Sequence, residues 1–319
     1  MSDLDAAGFM VDREMKPAVL RALADAIDEG ALRWPIQALP QRVLLTGMGS
    51  SFFASQSAAL RMRRANINAV AELSSTEASW PPAGDTLTVG ISASGRSAET
   101  LQFLAAHPGY VALTNIAGST ITREASAVVP MLAGAESGGV ACRSFQHTLI
   151  ALLVLEEQLA GEGLDVARRV RQSADATEWL LHHRADWLPE ASERLDGTSG
   201  VWFLAPAERI SSALQSALMV REGPRRPSDG CETGDWSHVD VYLTKTLDYR
   251  AVVFAGGRHH AAAADWMRRR GSTAVAVGGP FAVAQQVIRH PGDDDPIVSM
   301  LTEVLVAELL AATWWPASS

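Results

Sequence analysis

The chain is short of cysteine, with two in 319 residues, Cys142 and Cys231. Neither sits in a C-x-x-C or a paired spacing, which excludes a disulfide scaffold and leaves no thiolate set for zinc. Cations are also outnumbered: 27 Lys and Arg face 36 Asp and Glu, for a formal net charge of −9. Nucleic acids and anionic membranes are held mainly by clustered Lys and Arg, so neither is expected as a partner. The one dense basic run, Arg268-Arg269-Arg270, reads as a solvated helix end. No apolar run is read as long enough to span a bilayer, and Met1-Ser-Asp-Leu-Asp-Ala6 has acids where a secretory signal carries bases. A cytoplasmic location is expected. No G-x-x-x-x-G-K-[ST] occurs, and Phe52 takes the third glycine position of the G-x-G-x-x-G that Gly47 and Gly49 begin, so a nucleotide is disfavoured. His182-His183 and His259-His260 lack a Cys or carboxylate pattern to complete a metal site, leaving surface or capping roles. No metal and no cofactor are expected.

What is present is ordinary globular material, 47% hydrophobic and 20% charged, in a chain long enough for two domains. An initial helix reads over about 11–30. Strands near 42–46, 86–91, 110–114 and 127–132 then alternate with helical patterns, which means a parallel α/β sheet. Long helical patterns over about 143–161 and 164–188 follow, and the turn-rich Asp196-Gly-Thr-Ser-Gly200 marks a boundary. The alternation then resumes: strand 201–205, helix 206–222, a Pro/Gly-rich loop to about 240, strand 250–255, helix 259–270, strand 273–277 and a helix near 296–313. The expected domains are 1–195, the leading helix plus a first α/β domain with its linking helices, and 196–319, a second α/β domain.

The halves read as copies. Ala54-Ser-Gln-Ser-Ala58 matches Ala213-Leu-Gln-Ser-Ala217 at an offset of 213 − 54 = 159, and Ala93-Ser-Gly-Arg96 matches Ala255-Gly-Gly-Arg258 at 255 − 93 = 162. The copies differ in chemistry: Ser92, Ser94 and Ser97 become Phe254, Gly256 and His259, while Ser50 and Ser51 become Arg209 and Ile210. Only the first copy keeps a set of hydroxyls.

Those hydroxyls define the first candidate site. In Ile91-Ser-Ala-Ser-Gly-Arg-Ser-Ala-Glu-Thr100, an apolar run leads into serines around Gly95 and then into a helix, so backbone N–H groups and a helix N-terminus can face an anion. A second such turn, Gly47-Met-Gly-Ser-Ser51, ends the strand at 42–46. Turns at the carboxyl ends of neighbouring parallel strands converge on one crevice, so Ser50, Ser51, Ser92, Ser94 and Ser97 can surround one small anion. The plainer reading is that Ser and Gly only cap helices after tight turns.

The second candidate lies in Arg221-Glu-Gly-Pro-Arg-Arg-Pro-Ser-Asp-Gly-Cys-Glu-Thr-Gly-Asp-Trp-Ser-His238. Glu222 closes an apolar-patterned helix and His238 follows a Gly/Asp turn. A carboxylate can move a proton between adjacent sugar carbons, and an imidazole can open a hemiacetal ring. Against this stands a solvated helix-end acid and a loop histidine. Arg225 and Arg226 either meet an acidic group on a substrate or pair with Asp229 and Glu232.

Taken together, these residues resemble the tandem sugar isomerase (SIS) domain proteins, among them the isomerase half of glutamine-fructose-6-phosphate aminotransferase. The likeness runs through Gly49-Ser-Ser51, Ser92-Ala-Ser-Gly-Arg-Ser97, Leu113-Thr-Asn115, Gly118-Ser-Thr120, Ala133-Gly-Ala-Glu136 and Phe145. It continues in Ala213-Leu-Gln-Ser-Ala-Leu-Met-Val-Arg-Glu222, in His238 sixteen residues after Glu222, and in Glu14-Met-Lys-Pro17. The resemblance implies two tandem flavodoxin-like (SIS) domains with parallel sheets and helices on both faces. It further implies that Gly49, Ser50, Ser51, Ser92, Ala93, Ser94 and Ser97 bind a sugar phosphate, that Glu222 is the isomerase base, and that His238 assists ring opening in the neighbouring subunit of a homodimer.

The chain also departs from the pattern. The family's serine-loop glutamine is Ala93, its helix acid is Gln215, its helix lysine is Met219, and the serine before the Phe motif is Ala141 beside Cys142. No counterpart of the carboxyl-tail lysine precedes Ser319, and no N-terminal cysteine nucleophile for glutamine hydrolysis is present. The expected function is a phosphosugar aldose–ketose isomerase or an amino-sugar-phosphate deaminase. A regulatory sugar-phosphate binder without chemistry is the alternative.

Overall fold

The strand at 42–46 forms because Val43, Leu44 and Leu45 bury both faces, as a central parallel strand requires. The computed structural model describes residues 4–77, 79–161 and 163–315. Met1–Asp3, cited above against a secretory signal, and the last four residues of the tail lie outside that range. The elements begin α1 (Ala6–Glu14), α2 (Lys16–Asp28), β1 (Arg42–Gly47), α3 (Ser50–Arg64), β2 (Ala69–Leu73), β3 (Thr86–Ile91), α4 (Ala98–Ala105), β4 (Val111–Thr114), β5 (Ala127–Pro130) and α5 (Arg143–Ala160). They continue α6 (Val166–His182), α7 (Arg184–Leu195), β6 (Val201–Ala205), α8 (Ile210–Glu222), β7 (Ser228–Glu232), α9 (Thr233–Trp236), β8 (Arg250–Phe254), α10 (His260–Arg270), β9 (Thr273–Val277), β10 (Gln286–Ile288), α11 (Pro296–Thr302) and α12 (Val304–Trp314).

Two parallel five-stranded sheets result, ordered β2-β1-β3-β4-β5 and β10-β9-β8-β6-β7, with helices on both faces of each. Counted within its own half, each order is 2-1-3-4-5, the flavodoxin-like winding. The repeat matches at Ala54–Ala58 and Ala213–Ala217 fall on α3 and α8, the helices that follow the first strand of each copy. The α/β duplication expected from the sequence is therefore what the chain adopts. Several elements differ from the sequence reading. The leading helix is two helices, and the 164–188 pattern is also two, broken at His183. The loop expected up to about 240 contains β7 and α9, and β2 and β10 complete the sheets.

By packing the chain divides into two compact units, one of Arg21–Ala135 with Arg143–Arg168, the other of the residues up to Leu20, Glu136–Cys142 and the residues from Arg169 on. The first unit holds the β1–β5 sheet, with Leu44, Phe103, Leu104, Tyr110, Ala112 and Ile121 in one core cluster. In the second unit, α12 and α8 pack with β6, β8 and β9 through a core that includes Phe203, Phe254, Val275, Leu305 and Leu310.

One sequence expectation is corrected here: α11 and α12 together, Pro296–Trp314, are 19 residues with mean hydropathy 1.6 and so are long and apolar enough to cross a membrane. They are apolar because they form the core of the second unit, with 89% of the stretch buried inside the protein. Glu308 within α12 takes the Lys16 ammonium on both carboxylate oxygens, at 2.6 and 2.7 Å, which fastens the leading segment to this core. Asp12 adds to that anchor by accepting the backbone N–H groups of Ser137 and Gly138.

Candidate functional site

The parallel register pairs Gly47 with Ile91, so β1 and β3 end at the same level and the turns that follow are neighbours. This is the point where the strand order reverses, the place where open α/β sheets bind ligands. Gly47 has no room for a side chain, since a Cβ there would lie 2.7 Å from the Ser51 Cβ and 2.9 Å from the Ile91 carbonyl oxygen. That close approach starts Met48-Gly49-Ser50-Ser51 and Ser92-Ala93-Ser94 from adjacent strand ends. Gly49 turns the chain at φ +51 into α3, and no side chain caps that helix. Ser97 stands at the N-cap of α4, again without a side-chain cap bond. Two helix starts without a side-chain cap thus stand beside the serines, with the Ser51 N–H turned back to the Met48 carbonyl oxygen, an arrangement suited to an anion.

Within this set each serine has a distinct environment. Ser92 is buried, and its carbonyl oxygen accepts the N–H of Gly95 at 3.0 Å to close the turn. Ser94 is exposed, and its hydroxyl accepts the Arg96 N–H at 3.3 Å. Ser97 donates to the Glu99 carboxylate at 3.1 Å and accepts from Thr100 at 3.1 Å, so it must exchange Glu99 for a ligand before it can bind one. Ala93 contributes backbone only: its carbonyl oxygen accepts the Asn115 N–H at 3.1 Å, tying the turn to the end of β4. Asn115 in turn holds the loop after β5, accepting from Ala133 N and donating to the Gly134 oxygen. The structure therefore gathers Gly49, Ser50, Ser51, Ser92, Ala93, Ser94 and Ser97 at one switch point in the first unit.

The matching point of the second sheet, between β6 and β8, is filled from within. Arg209, buried, directs its guanidinium to the Glu303 carboxylate and to the Ala255 carbonyl oxygen beside Gly256. Burial pushes the Glu303 carboxyl up to about 7, with Arg209 opposing. The serine-to-arginine change read from the repeat is thus a change from an open hydroxyl turn to an internal ion pair.

Glu222 and His238 both belong to the second unit. Glu222 is the last residue of α8 and is half-buried; that burial raises its carboxyl above the usual range, against the opposing pull of Arg221. His238 is exposed one turn beyond α9, where its N–H donates to the Asp235 oxygen and Trp236 anchors the turn by donating to the Tyr249 hydroxyl. The two do not converge within one chain. At Gly230 the strand β7 touches α8 near Ala213, and from there α8 runs nine residues to Glu222, about 13 Å along its axis. The chain leaves β7 in the opposite sense toward α9 and His238, so the pair lies at opposite ends of the sheet.

Of the two arginines between them, Arg226 is committed, pairing with Asp196 and lying 5.0 Å from the Trp314 ring centroid. Arg225 is exposed and held at φ +57. Among the described residues no group of three or more His, Cys, Asp or Glu is placed to hold a metal ion.

Comparison with known proteins agrees with this architecture. No family model matches the chain. The glutamine–fructose-6-phosphate aminotransferase (isomerizing) of Pyrobaculum aerophilum is 25% identical over 242 residues, 72% of this chain and 40% of that protein. The chain spans less than half the length of the curated relatives it matches. Tagatose-6-phosphate ketose/aldose isomerase from Escherichia coli superposes with a TM-score of 0.80 at 17% identity, covering 97% of this chain and 93% of that one. Glucosamine-6-phosphate deaminase from Thermotoga maritima gives 0.73 at 16%, covering 97% and 92%. The fold is that of the tandem SIS phosphosugar isomerases. Within that class, the chain resembles the isomerase half of the aminotransferase.

Proposed function

We propose that the protein is a phosphosugar aldose–ketose isomerase or an amino-sugar-phosphate deaminase of the glucosamine 6-phosphate type. The observation that carries this reading is the Gly47–Ile91 register, which joins two uncapped helix starts and five serines at the switch point of the first sheet. In this reading the serine turns hold the phosphate. His238 shuttles a proton between the ring oxygen and the hemiacetal hydroxyl to open the sugar. Glu222 then takes the C2 proton and delivers it to C1. With a C2 hydroxyl the product is a ketose; with a C2 amine it is an imine that water hydrolyses, releasing ammonia. Burial of Glu222 favours the base role, because a carboxylate disfavoured in its charged form holds a proton more readily.

His238 serves a second copy of the chain in this proposal, since it and Glu222 stand at opposite ends of their own sheet. The exposed apolar side chains beside it, Val239 at 54% and Tyr242 at 63%, suit burial in such a homodimer.

Turnover of glucosamine 6-phosphate and of aldose and ketose phosphates, with solvent-proton exchange at C2 followed by NMR, tests the chemistry. Glu222→Gln should lower turnover by about 10²-fold or more while leaving sugar-phosphate affinity unchanged. No turnover and no exchange in the unaltered protein would refute an enzyme, and tight binding without either would mark a sugar-phosphate binding protein. Mixing inactive Glu222→Gln and His238→Ala proteins should restore about a quarter of the activity if sites are shared between subunits. No recovery in verified mixed dimers would refute that sharing.

A further inference from the structure

Beside the anion turn stand two polar groups beyond the serine set, Ser119 Oγ and the Arg96 guanidinium, that have no partner among the described residues. Gly95, at φ +64, lies at its centre, and a Cβ there would run into the Ser119 hydroxyl oxygen and come within 2.5 Å of the Ser119 Cβ. The Ser119 side chain thus rests on the Gly95 backbone. The segment carrying it is tied to the same turn, because Ile121 N–H donates to the Gly95 oxygen at 3.0 Å. The Ser119 oxygen is buried and has no hydrogen-bond partner among the described residues. A buried hydroxyl left unmatched is costly unless a ligand or water meets it. Next to Gly95 in the chain is Arg96, exposed, its backbone N–H held by the Ser94 hydroxyl. Its guanidinium has no ion-pair or hydrogen-bond partner among the described residues, and the nearby Glu99 carboxylate is engaged by Ser97 instead.

Resting on the sugar-phosphate reading above, we propose that Ser119 and Arg96 complete this site and that they select a doubly ionised phosphate monoester. Serine hydroxyls and helix N–H groups meet an anion with partial positive charges, whereas a guanidinium brings a full one. Its attraction therefore grows more steeply with the charge of the anion and adds to the preference for a dianion. A phosphate monoester loses its second proton near pH 6, and the preference therefore shows as a pH dependence of binding. Ser119, on the segment that follows β4, supplies a donor beside Gly95.

The test is calorimetric titration with fructose 6-phosphate and with inorganic phosphate at pH 7.5 and pH 5, using the full chain and the variants Ser92→Ala, Arg96→Gln and Ser119→Ala. Arg96→Gln, at an exposed position, should lower affinity at pH 7.5 by about 10-fold and flatten the difference between the two pH values. Ser119→Ala should lower affinity about 5-fold at both pH values. If Ser92→Ala abolishes binding while Arg96→Gln and Ser119→Ala bind as the unaltered protein does, the two added groups are refuted and the serine site stands. If Ser92→Ala binds both probes unchanged, the sugar-phosphate reading itself fails.

Discussion

Lys16 and Glu308 form an ion pair whose side chains are 3% and 0% exposed, and its removal offers the sharpest test of how the second unit is held together. Both carboxylate oxygens accept from one ammonium, at 2.6 and 2.7 Å. Breaking such a pair from one side leaves a buried charge without its counterpart, which costs about 3–5 kcal/mol. Lys16→Met and Glu308→Leu should each destabilise by that amount, out of a total stability of about 5–15 kcal/mol. The double variant replaces both charges by apolar side chains of similar length and should come within about 2 kcal/mol of the unaltered protein. The two single costs would then sum to about 6–10 kcal/mol, well above the double, giving a coupling of at least about 4 kcal/mol. Urea unfolding followed by far-UV circular dichroism measures each corner of this cycle, and the single variants should also melt about 10 °C lower. Additive single costs below about 1 kcal/mol each, the level of an exposed pair, would refute the reasoning.

Three further outcomes follow from the same physics. Because the folded Glu303 carboxyl titrates near 7, above its usual value, the native state binds a proton more tightly than the unfolded chain; its contribution is fully present at low pH and is lost as pH rises to about 7. Glu303→Gln should remove about 3 kcal/mol of that pH dependence, read as the change in the difference of unfolding midpoints between pH 5 and pH 8, and an unchanged difference would contradict it. Gly95→Ala should cost about 2–4 kcal/mol and abolish phosphate binding, since it adds strain at φ +64 to an overlap with Ser119, whereas Gly49→Ala, at φ +51 with open space around it, should cost only about 1–2 kcal/mol. The acid limb of kcat/KM should follow the raised Glu222 titration, so activity falls as pH drops through a value above that of an ordinary glutamate, and a limb at or below the ordinary value would exclude Glu222 as the base.

The central strands were legible because they are largely buried and rich in apolar residues, as in Val43-Leu44-Leu45 of β1, Val89 and Ile91 of β3, and Val201–Ala205. The three strands that escaped, β2, β7 and β10, all lie at sheet edges. An edge strand is half solvated and short, so its sequence need not be apolar: β7 is Ser-Asp-Gly-Cys-Glu. The serine turns were legible for a different reason, since glycine at positive φ and hydroxyls at helix starts are local requirements that residue type reveals directly. Ser119 and Arg96 were not, because what distinguishes them is the absence of a partner, and that belongs to the folded molecule.

The omission of β7 has the larger consequence for the reaction. With residues 223–240 read as a loop, the fifteen residues between Glu222 and His238 leave the chain free to fold back and place both on one substrate. With β7 in place that freedom is gone: five residues of strand span about 17 Å, and they carry the chain from the end of the sheet nearest Glu222 to the opposite end. A short polar strand thus converts a possible intramolecular pair into two groups that cannot meet within one chain. Any mechanism that needs both must draw one of them from another copy, which is why the mixed-variant experiment, rather than either single substitution, decides how the proposed chemistry is assembled.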